Sequence, residues 1–445
     1  MNPLLAAWTR TVRRDGGRRA LLDPDGTTLR FADLAERAAR WQAAHAAGVD
    51  LRGRAVVFAL PNGAAWFEVF LGVLSAGAIA VPLDPSEPAG AQRAAAEEVR
   101  AGAWWDGGRL VALARPRRFG DPGVALVKLT SGSTGRPRPL VFTAAQMLAD
   151  ARQVTRTMGI TRADLNYGLI PLGHSYGLGN LAIPLVAFGI PVALGTSPLP
   201  HAIAADFARC APTVFPGVPA VWRGLAESSL DAAALRSLRL GISAGAPLPP
   251  EVARAFADRF GRRLHGFYGS SETGGIAFDR TGAATLAGGV GRALRGVKLH
   301  ALSAQRLRVC SAAVTTFRRP RRGGLSCWIV PDRVTLGRGG AVNLLGRRGA
   351  MVKIAGRRVN LGEVAAALRR LPGVRDAWIG AQDGPEPVLG AGVASDRPVA
   401  ELRSRLGASL AAWKVPRRWA AWPAGLPVND RGKPDVAAIR AAVFR

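Results

Sequence analysis

The sequence predicts an α/β protein: a large N-terminal α/β part of several subdomains, with sheets flanked by helices and a small β region, then a small α+β domain. Three observations carry this reading. From about residue 20, short apolar runs alternate with segments that repeat apolar residues at helical spacing, the rhythm of buried parallel strands joined by crossover helices. Past Gly324 the pattern changes to strand-like runs separated by glycine-rich turns. From Gly349 a compact unit follows with its own strands and helices, long enough for a small domain. The expected boundaries are therefore 1–348 and 349–445.

The elements follow in order. FADLAERAARWQAAHAAG reads as a helix stopped by Gly48, RAVVFAL as a buried strand, AAWFEVFLGVLSAGA as a helix and IAVPLD as a strand. LVKLTSGSTGRPRPLVFT places a run of Thr, Ser and Gly between two strand-like flanks. Thr143 with Gln146 three residues on predicts a capping box that opens the helix AAQMLADARQVTRTMG. RLGISAG and LHGFYG read as strands around the helix PPEVARAFADRFG, which has Pro near its start and Gly at its end. LSCWIVPD and AVNLLGR look like antiparallel strands. In the tail, MVKIAG predicts a strand, LGEVAAALRRLPG a helix and VRDAWIGA a strand, followed by another strand, a helix and a Pro-rich end.

Bulk composition bounds the function. A chain of 445 residues with 48% hydrophobic and 20% charged residues is ordinary for a soluble folded protein. The longest apolar stretches, 67–83 and 181–195, are interrupted and fall short of the roughly 18–20 residues of a membrane helix. The N-terminus lacks the pattern of a signal peptide. Cys210, Cys310 and Cys327 are far apart and odd in number, so neither a disulfide framework nor a zinc site is expected, and the cytoplasm is the expected home. The net charge of +29 is almost wholly arginine, for there are only five lysines. The arginines are spread along the chain and the densest run, RRPRR at 318–322, is short, so no nucleic acid is expected; peripheral contact with an anionic membrane stays open.

The Thr/Ser/Gly run has a chemical use. A phosphate needs convergent N–H donors with no bulk between them, which glycines allow and hydroxyls augment. Thr130, Ser131, Gly132, Ser133, Thr134 and Gly135 meet that need, and Arg136 and Arg138 add cations. This is not a Walker loop, since no Gly-Lys-Ser/Thr ends it and Pro137 and Pro139 oppose an immediate helix. A flexible surface turn is the competing use of such residues.

Further motifs follow in order: PLGHSYGLGN (171–180), SAGAPL (243–248), GFYGSSETG (266–274), VPDRVTL (330–336), LLGRRGAMVKIAGRRVNLGEV (344–364) and LPVNDRGKPD (426–435). With the TSGSTGRPR loop, these resemble the adenylate-forming superfamily: acyl- and aryl-CoA synthetases, peptide-synthetase adenylation domains and luciferases. The resemblance spans about 20–440. It implies ATP-dependent activation of a fatty or aryl acid to an acyl-adenylate, with transfer to coenzyme A, and a mobile C-terminal domain carrying the catalytic Lys433. Lys433 would bridge the carboxylate and the α-phosphate, Glu272 would hold Mg²⁺, Thr273 would donate to the phosphate, and His174 would line the acid pocket. Tyr268 and Gly269 on one side and Gly245, Ala246 and Pro247 on the other would enclose adenine. Asp332 would accept the ribose hydroxyls, Arg347 would reach ribose or phosphate, and Gly356 with Arg357 would line the pantetheine tunnel. Small residues at 174–178 and 274–278 suggest room for a sizeable acid tail. His45, His201, His265 and His300 sit in no motif, and Lys353 is expected to support the C-terminal domain.

Two positions depart from the family. Arg138-Pro139 replaces a Lys-Gly pair, which keeps charge but removes a flexible glycine, and Gly349 stands at the hinge where Asp or Lys is usual. The connection between Glu272 and Asp332 is also short. Two alternatives stay open: transfer to the phosphopantetheine of an acyl carrier protein, or arrest at the adenylate; and a basic binding protein on a decayed ligase scaffold.

Overall fold

The computed structural model describes residues 2–131, 137–315, 325–347, 351–382, 384, 386–427 and 434–445. It forms two compact units. The first is built from Met1–Pro85, Ala96–Leu129 and Pro139–Gly346; the second is built around Arg347–Arg445 and takes in Ser86–Ala95.

Two large sheets dominate the first unit. A six-stranded sheet has the order Leu110–Ala112, Ala103–Trp105, Ala55–Phe58, Ile79–Pro82, Val124–Ser131, Pro137–Thr143. Ala55–Phe58 and Ile79–Pro82 pair in parallel, Val56 opposite Ala80, and every residue of both strands is buried. Strands covered on both faces must be apolar throughout, which is why RAVVFAL shows no alternation. The connecting helix Ala64–Ser75 is apolar on nearly all sides and buries Trp66, Phe67 and Phe70. Its Gly72 lets the Trp41 ring lie against the backbone, since a Cβ there would come within 2.2 Å of the indole.

The nine-stranded sheet runs Arg292–Ala293, Gly274–Phe278, Leu264–Ser270, Leu240–Ser243, Val214–Gly217, Asn166–Gly168, Val192–Leu194, Arg19–Leu22, Thr28–Arg30. Its central strands are parallel, with Val214 opposite Leu240 and Ile242 opposite His265. The Thr143 capping box is present: its hydroxyl accepts the Gln146 N–H at 3.2 Å and the Gln146 side chain accepts the Thr143 N–H at 2.8 Å, opening the helix Ala144–Met158. The helix Pro250–Phe260 starts on Pro and ends at Gly261 in the left-handed region, as its sequence predicts. The small β region holds a three-stranded sheet (Lys298–Leu302, Arg306–Ser311, Ser326–Val330) and a ribbon of Asp332–Leu336 with Val342–Arg347.

The second unit has the hairpin Met351–Ile354 with Arg357–Asn360 and a three-stranded sheet of Val374–Gln382, Val388–Ser395 and Arg418–Ala421. Helices Leu361–Arg369, Val399–Ser409 and Val436–Val443 complete it. The last lies in the Pro-rich end, where Asp435 caps the helix by accepting the N–H groups of Ala437 and Ala438.

One expectation is corrected. Cys310 and Cys327 stand opposite each other on neighbouring antiparallel strands and form a disulfide. Linear spacing hides this pairing, because it depends on the register of a hairpin and not on distance along the chain.

Buried carboxylates tie the layers together. Arg239 grips Asp164 with two hydrogen bonds of 2.6 and 2.7 Å. Burial by itself raises the carboxyl pKa of Asp164, Asp206 and Asp279, but hydrogen bonds outweigh it: from Arg239, Thr161 and Thr213 on the first, from Arg209, Tyr167 and Thr196 on the second, and from Thr285 and Thr281 on the third. All three end below the ordinary value of 3.8. A lowered folded pKa stabilises above the unfolded value and is lost as pH falls through the folded one. Urea denaturation is therefore expected to show stability falling below about pH 4. Asp164→Ala, which leaves Arg239 and Thr213 without their acceptor, is expected to cost about 3 kcal/mol at neutral pH.

Candidate active site

In the first unit, the parallel strands Leu240–Ser243 and Leu264–Ser270 lie side by side, Ser243 opposite Gly266, so their carboxyl ends share one edge of the sheet. That edge is where open α/β sheets hold ligands. The first strand runs into Gly245, whose φ of 91° is a left-handed conformation that favours glycine, then into half-buried Ala246 and exposed Pro247.

The second strand carries Tyr268, only 4% exposed, whose hydroxyl donates to Asp332 Oδ2 at 2.7 Å. Asp332 opens the strand Asp332–Leu336. Two residues 64 apart in sequence, each expected to hold part of a nucleoside, thus touch. Next to Tyr268, Gly269 allows the hairpin to close, because a Cβ there would sit 2.9 Å from the Gly274 carbonyl oxygen.

The turn beyond holds Glu272, half-buried, whose carbonyl accepts the Thr315 N–H at 2.8 Å. Thr273 is fully buried, and its hydroxyl lies 3.0 Å from Ser270 Oγ and donates to the Gly274 carbonyl at 3.2 Å. Its hydroxyl therefore orders the turn in this structure. Among the described residues, no group of three or more His, Cys, Asp or Glu side chains is gathered to hold a metal ion. Glu272 supplies one carboxylate, which fits Mg²⁺ held mainly by phosphate oxygens of a nucleotide.

His174 precedes a short helical turn, and its Nε2 lies 2.6 Å from Asp84 Oδ2. Asp84 is 8% exposed and follows the carboxyl end of the buried strand Ile79–Pro82. Sequence reasoning passed over it; the signal was a carboxylate directly after a strand-like run, at the end where α/β sheets bind. The pairing orients the imidazole. Two residues on, the Tyr176 hydroxyl donates to the carbonyls of Gly217 and Ile242 at 3.4 and 3.3 Å, which pins the 174–178 segment to the strand ends.

The glycines expected to leave room for a long tail are instead filled by neighbours. A Cβ at Gly177 would meet the Pro171 carbonyl at 2.1 Å, at Gly274 the Asp150 carboxylate at 2.2 Å, and at Gly275 Leu294 at 2.6 Å.

Of the remaining candidates, Thr130 and Ser131 end the strand Val124–Ser131, Arg138 is exposed on Pro137–Thr143, and Arg347 ends Val342–Arg347. Gly132, Ser133, Thr134, Gly135, Gly349 and Lys433 lie outside the described residues, as do the side chains of Thr130, Ser131 and Arg347. In the second unit, Gly356 has a φ of 79° at the hairpin turn, and the Arg357 guanidinium stands 5.4 Å from the centre of the Trp413 ring.

A family model described as AMP-binding enzyme matches residues 8–105 and 113–315, more than half of the chain. The chain belongs to the AMP-binding enzyme family. This AMP-binding enzyme is 27% identical over 345 residues to a benzoate–CoA ligase from Thauera aromatica, covering 70% of this chain and 65% of that one. It is 28% identical to an isonitrile lipopeptide synthase from Streptomyces coeruleorubidus, covering 99% of this chain and 33% of that protein. The chain thus matches less than two thirds of the length of these curated relatives. Its fold matches o-succinylbenzoate CoA synthetase from Bacillus subtilis with a TM-score of 0.83 at 20% identity, covering 98% of each chain. No helix among the described residues is long and apolar enough to cross a membrane.

Tyr268→Phe removes the donor to Asp332 without changing ring shape. Calorimetric titration is expected to show nucleotide affinity falling by about tenfold, with the melting temperature nearly unchanged. Equal affinity in the two proteins would separate this pair from nucleotide binding.

Proposed function

We propose that this AMP-binding enzyme activates a carboxylic acid, fatty or aryl, with ATP and then passes the acyl group to the thiol of coenzyme A. The observation that supports this most is the Tyr268–Asp332 hydrogen bond beside the Gly245 turn: an aromatic face on a strand of the nine-stranded sheet and a two-oxygen acceptor at the start of the ribbon strand Asp332–Leu336. That set suits adenine and the two ribose hydroxyls.

In the first step a carboxylate oxygen attacks the α-phosphorus, the bond to the bridging oxygen breaks, and pyrophosphate leaves. Two anions must approach, so charge has to be neutralised where they meet. Lys433 takes that role in our reading, with Arg138 near the outer phosphates. When bound, Mg²⁺ supplies further neutralisation, with Glu272 as its protein ligand. His174, oriented by Asp84, lines the acid pocket. Thr273 holds the Glu272 turn and is assigned the α-phosphate contact. In the second step the thiolate attacks the acyl carbonyl and AMP leaves with the C–O bonding pair. Residues 349–445 act as the lid that turns about Gly349 between the steps, bringing Gly356 and Arg357 to the pantetheine arm.

A carrier-protein phosphopantetheine is the alternative to coenzyme A, because the two present the same thiol arm.

A panel of carboxylic acids scored by pyrophosphate release, with coenzyme A, with a carrier protein and with neither, tests the reading. Release with at least one acid is expected, with Lys433→Ala slowing it by about a hundredfold or more. Binding of nucleotide with no release for any acid would favour a decayed scaffold. At the hinge, Gly349→Pro is expected to keep adenylation while thioester formation falls by at least about tenfold, because proline fixes the φ that the swing must change. Full thioester formation in that variant would remove Gly349 from the mechanism.

A further inference from the structure

Between Asp279 and Asp332 the sequence has no aspartate or glutamate, while Lys298 and nine arginines fall in the same stretch. The three-stranded sheet of Lys298–Leu302, Arg306–Ser311 and Ser326–Val330 is built from this stretch.

The two faces of that sheet differ. Successive side chains of a strand point to opposite faces, and residues directly opposite on neighbouring strands share one. Leu307, Val309 and Val330 are buried in the core of the first unit. The other face carries two cross-strand rows: His300, Arg308 and Ile329 in one, Lys298, Cys310 and Cys327 in the next. The Cys310–Cys327 disulfide joins two strands on this face and holds the rows in register. Lys298, Arg306 and Arg308 are exposed. Arg306 donates to the Ser303 carbonyl at 3.4 Å, and no carboxylate pairs with any of these three cations among the described residues. Leu325 and Ile329, at alternate positions with Cys327, are 45% and 43% exposed, two of six large apolar side chains left so open among the described residues.

An aliphatic pair among unpaired cations suits anionic lipid, where charge is drawn to the headgroups and apolar side chains enter the boundary beneath them. Nucleic acid would use the cations but offers nothing to Leu325 and Ile329, and stacking calls for aromatic faces. The aromatic residue of the outer strand, Trp328, is turned to the core side. A folded protein partner needs more area. Three strands of about five residues span about 17 by 14 Å, or about 240 Å², against about 800 Å² per partner in a stable complex. A bilayer sets no such threshold, because charge attraction adds to whatever apolar area enters.

We propose that this face docks the protein on an anionic bilayer, with Lys298, Arg306 and Arg308 among the lipid headgroups and Leu325 and Ile329 at the boundary of the acyl chains. Docking of this kind stands whichever acid the enzyme activates.

The full chain is sedimented with vesicles of phosphatidylcholine alone and with about 30% phosphatidylserine. The wild type is expected to bind the anionic vesicles at least about tenfold more tightly than the neutral ones, and to be released by about 0.5 M salt. Each Lys or Arg near an anionic leaflet adds about fivefold, so Arg306→Gln/Arg308→Gln is expected to weaken binding by about tenfold or more. Leu325→Ser/Ile329→Ser is expected to weaken it by at least about threefold. Arg10→Gln/Arg13→Gln removes the same charge from exposed sites on the helix Pro3–Asp15 and is expected to change binding by less than about twofold. All six side chains are exposed, so melting temperatures are expected to hold. Equal losses from the two arginine pairs would mean attraction to the net charge of +29 alone and would overturn the assignment. Binding indifferent to the loss of Leu325 and Ile329 overturns it too, since that marks a general polyanion surface. Capture of an acidic carrier protein, weakened by the face variants and without vesicle binding, gives the face to a protein and overturns it as well.

Discussion

The hydrogen bond from Tyr268 to Asp332 joins a strand of the nine-stranded sheet to a ribbon that also meets that sheet at the Arg292–Ala341 bridge. One end of that bond is an almost fully buried phenol and the other a carboxylate, and a buried polar group left without its partner costs about 1–3 kcal/mol. The pairing therefore constrains both elements. With the Gly245 turn at the adjoining strand end, it gathers at one edge the residues proposed to hold a nucleoside. Tyr176 fastens the His174 segment to the same edge, Asp84 ties His174 to the end of a strand of the six-stranded sheet, and the Thr315 N–H holds the Glu272 turn.

Glycine does different work at different points of this edge. At Gly245 it permits a left-handed backbone conformation. At Gly269, Gly274 and Gly275 it permits close approach, of carbonyl oxygen in the first case, of a carboxylate in the second, and of Leu294 and Phe267 in the third. Small residues near a binding site thus mark tight packing here.

Charge follows a similar division. Most of the arginines behind the +29 balance lie along the surface, yet several are placed: Arg239 on Asp164, Arg209 on Asp206, Arg14 on Asp15. The first joins segments 75 positions apart, whereas the other two lie within single helices. The lysines are fewer and more local. Lys414 sits between Glu87 and Glu363 at 2.8 and 3.3 Å in the second unit, and in the first the Lys128 ammonium lies 4.4 Å from the centre of the Phe142 ring.

The sequence by itself determined the elements and their order. Runs of buried strand at 55–58 and 79–82, the Thr143–Gln146 box and the Pro250-to-Gly261 helix are set by pleat, helical turn and cap, all of which act within a few residues. It also determined the motif residues of the candidate site, because those lie in short strings at strand ends. Only the tertiary structure decided which of them meet. Tyr268 with Asp332, His174 with Asp84, Asp150 with Gly275 and Cys310 with Cys327 are separated by 64, 90, 125 and 17 positions. Such contacts are created by strand register and by the stacking of helices on sheets, which no local pattern encodes.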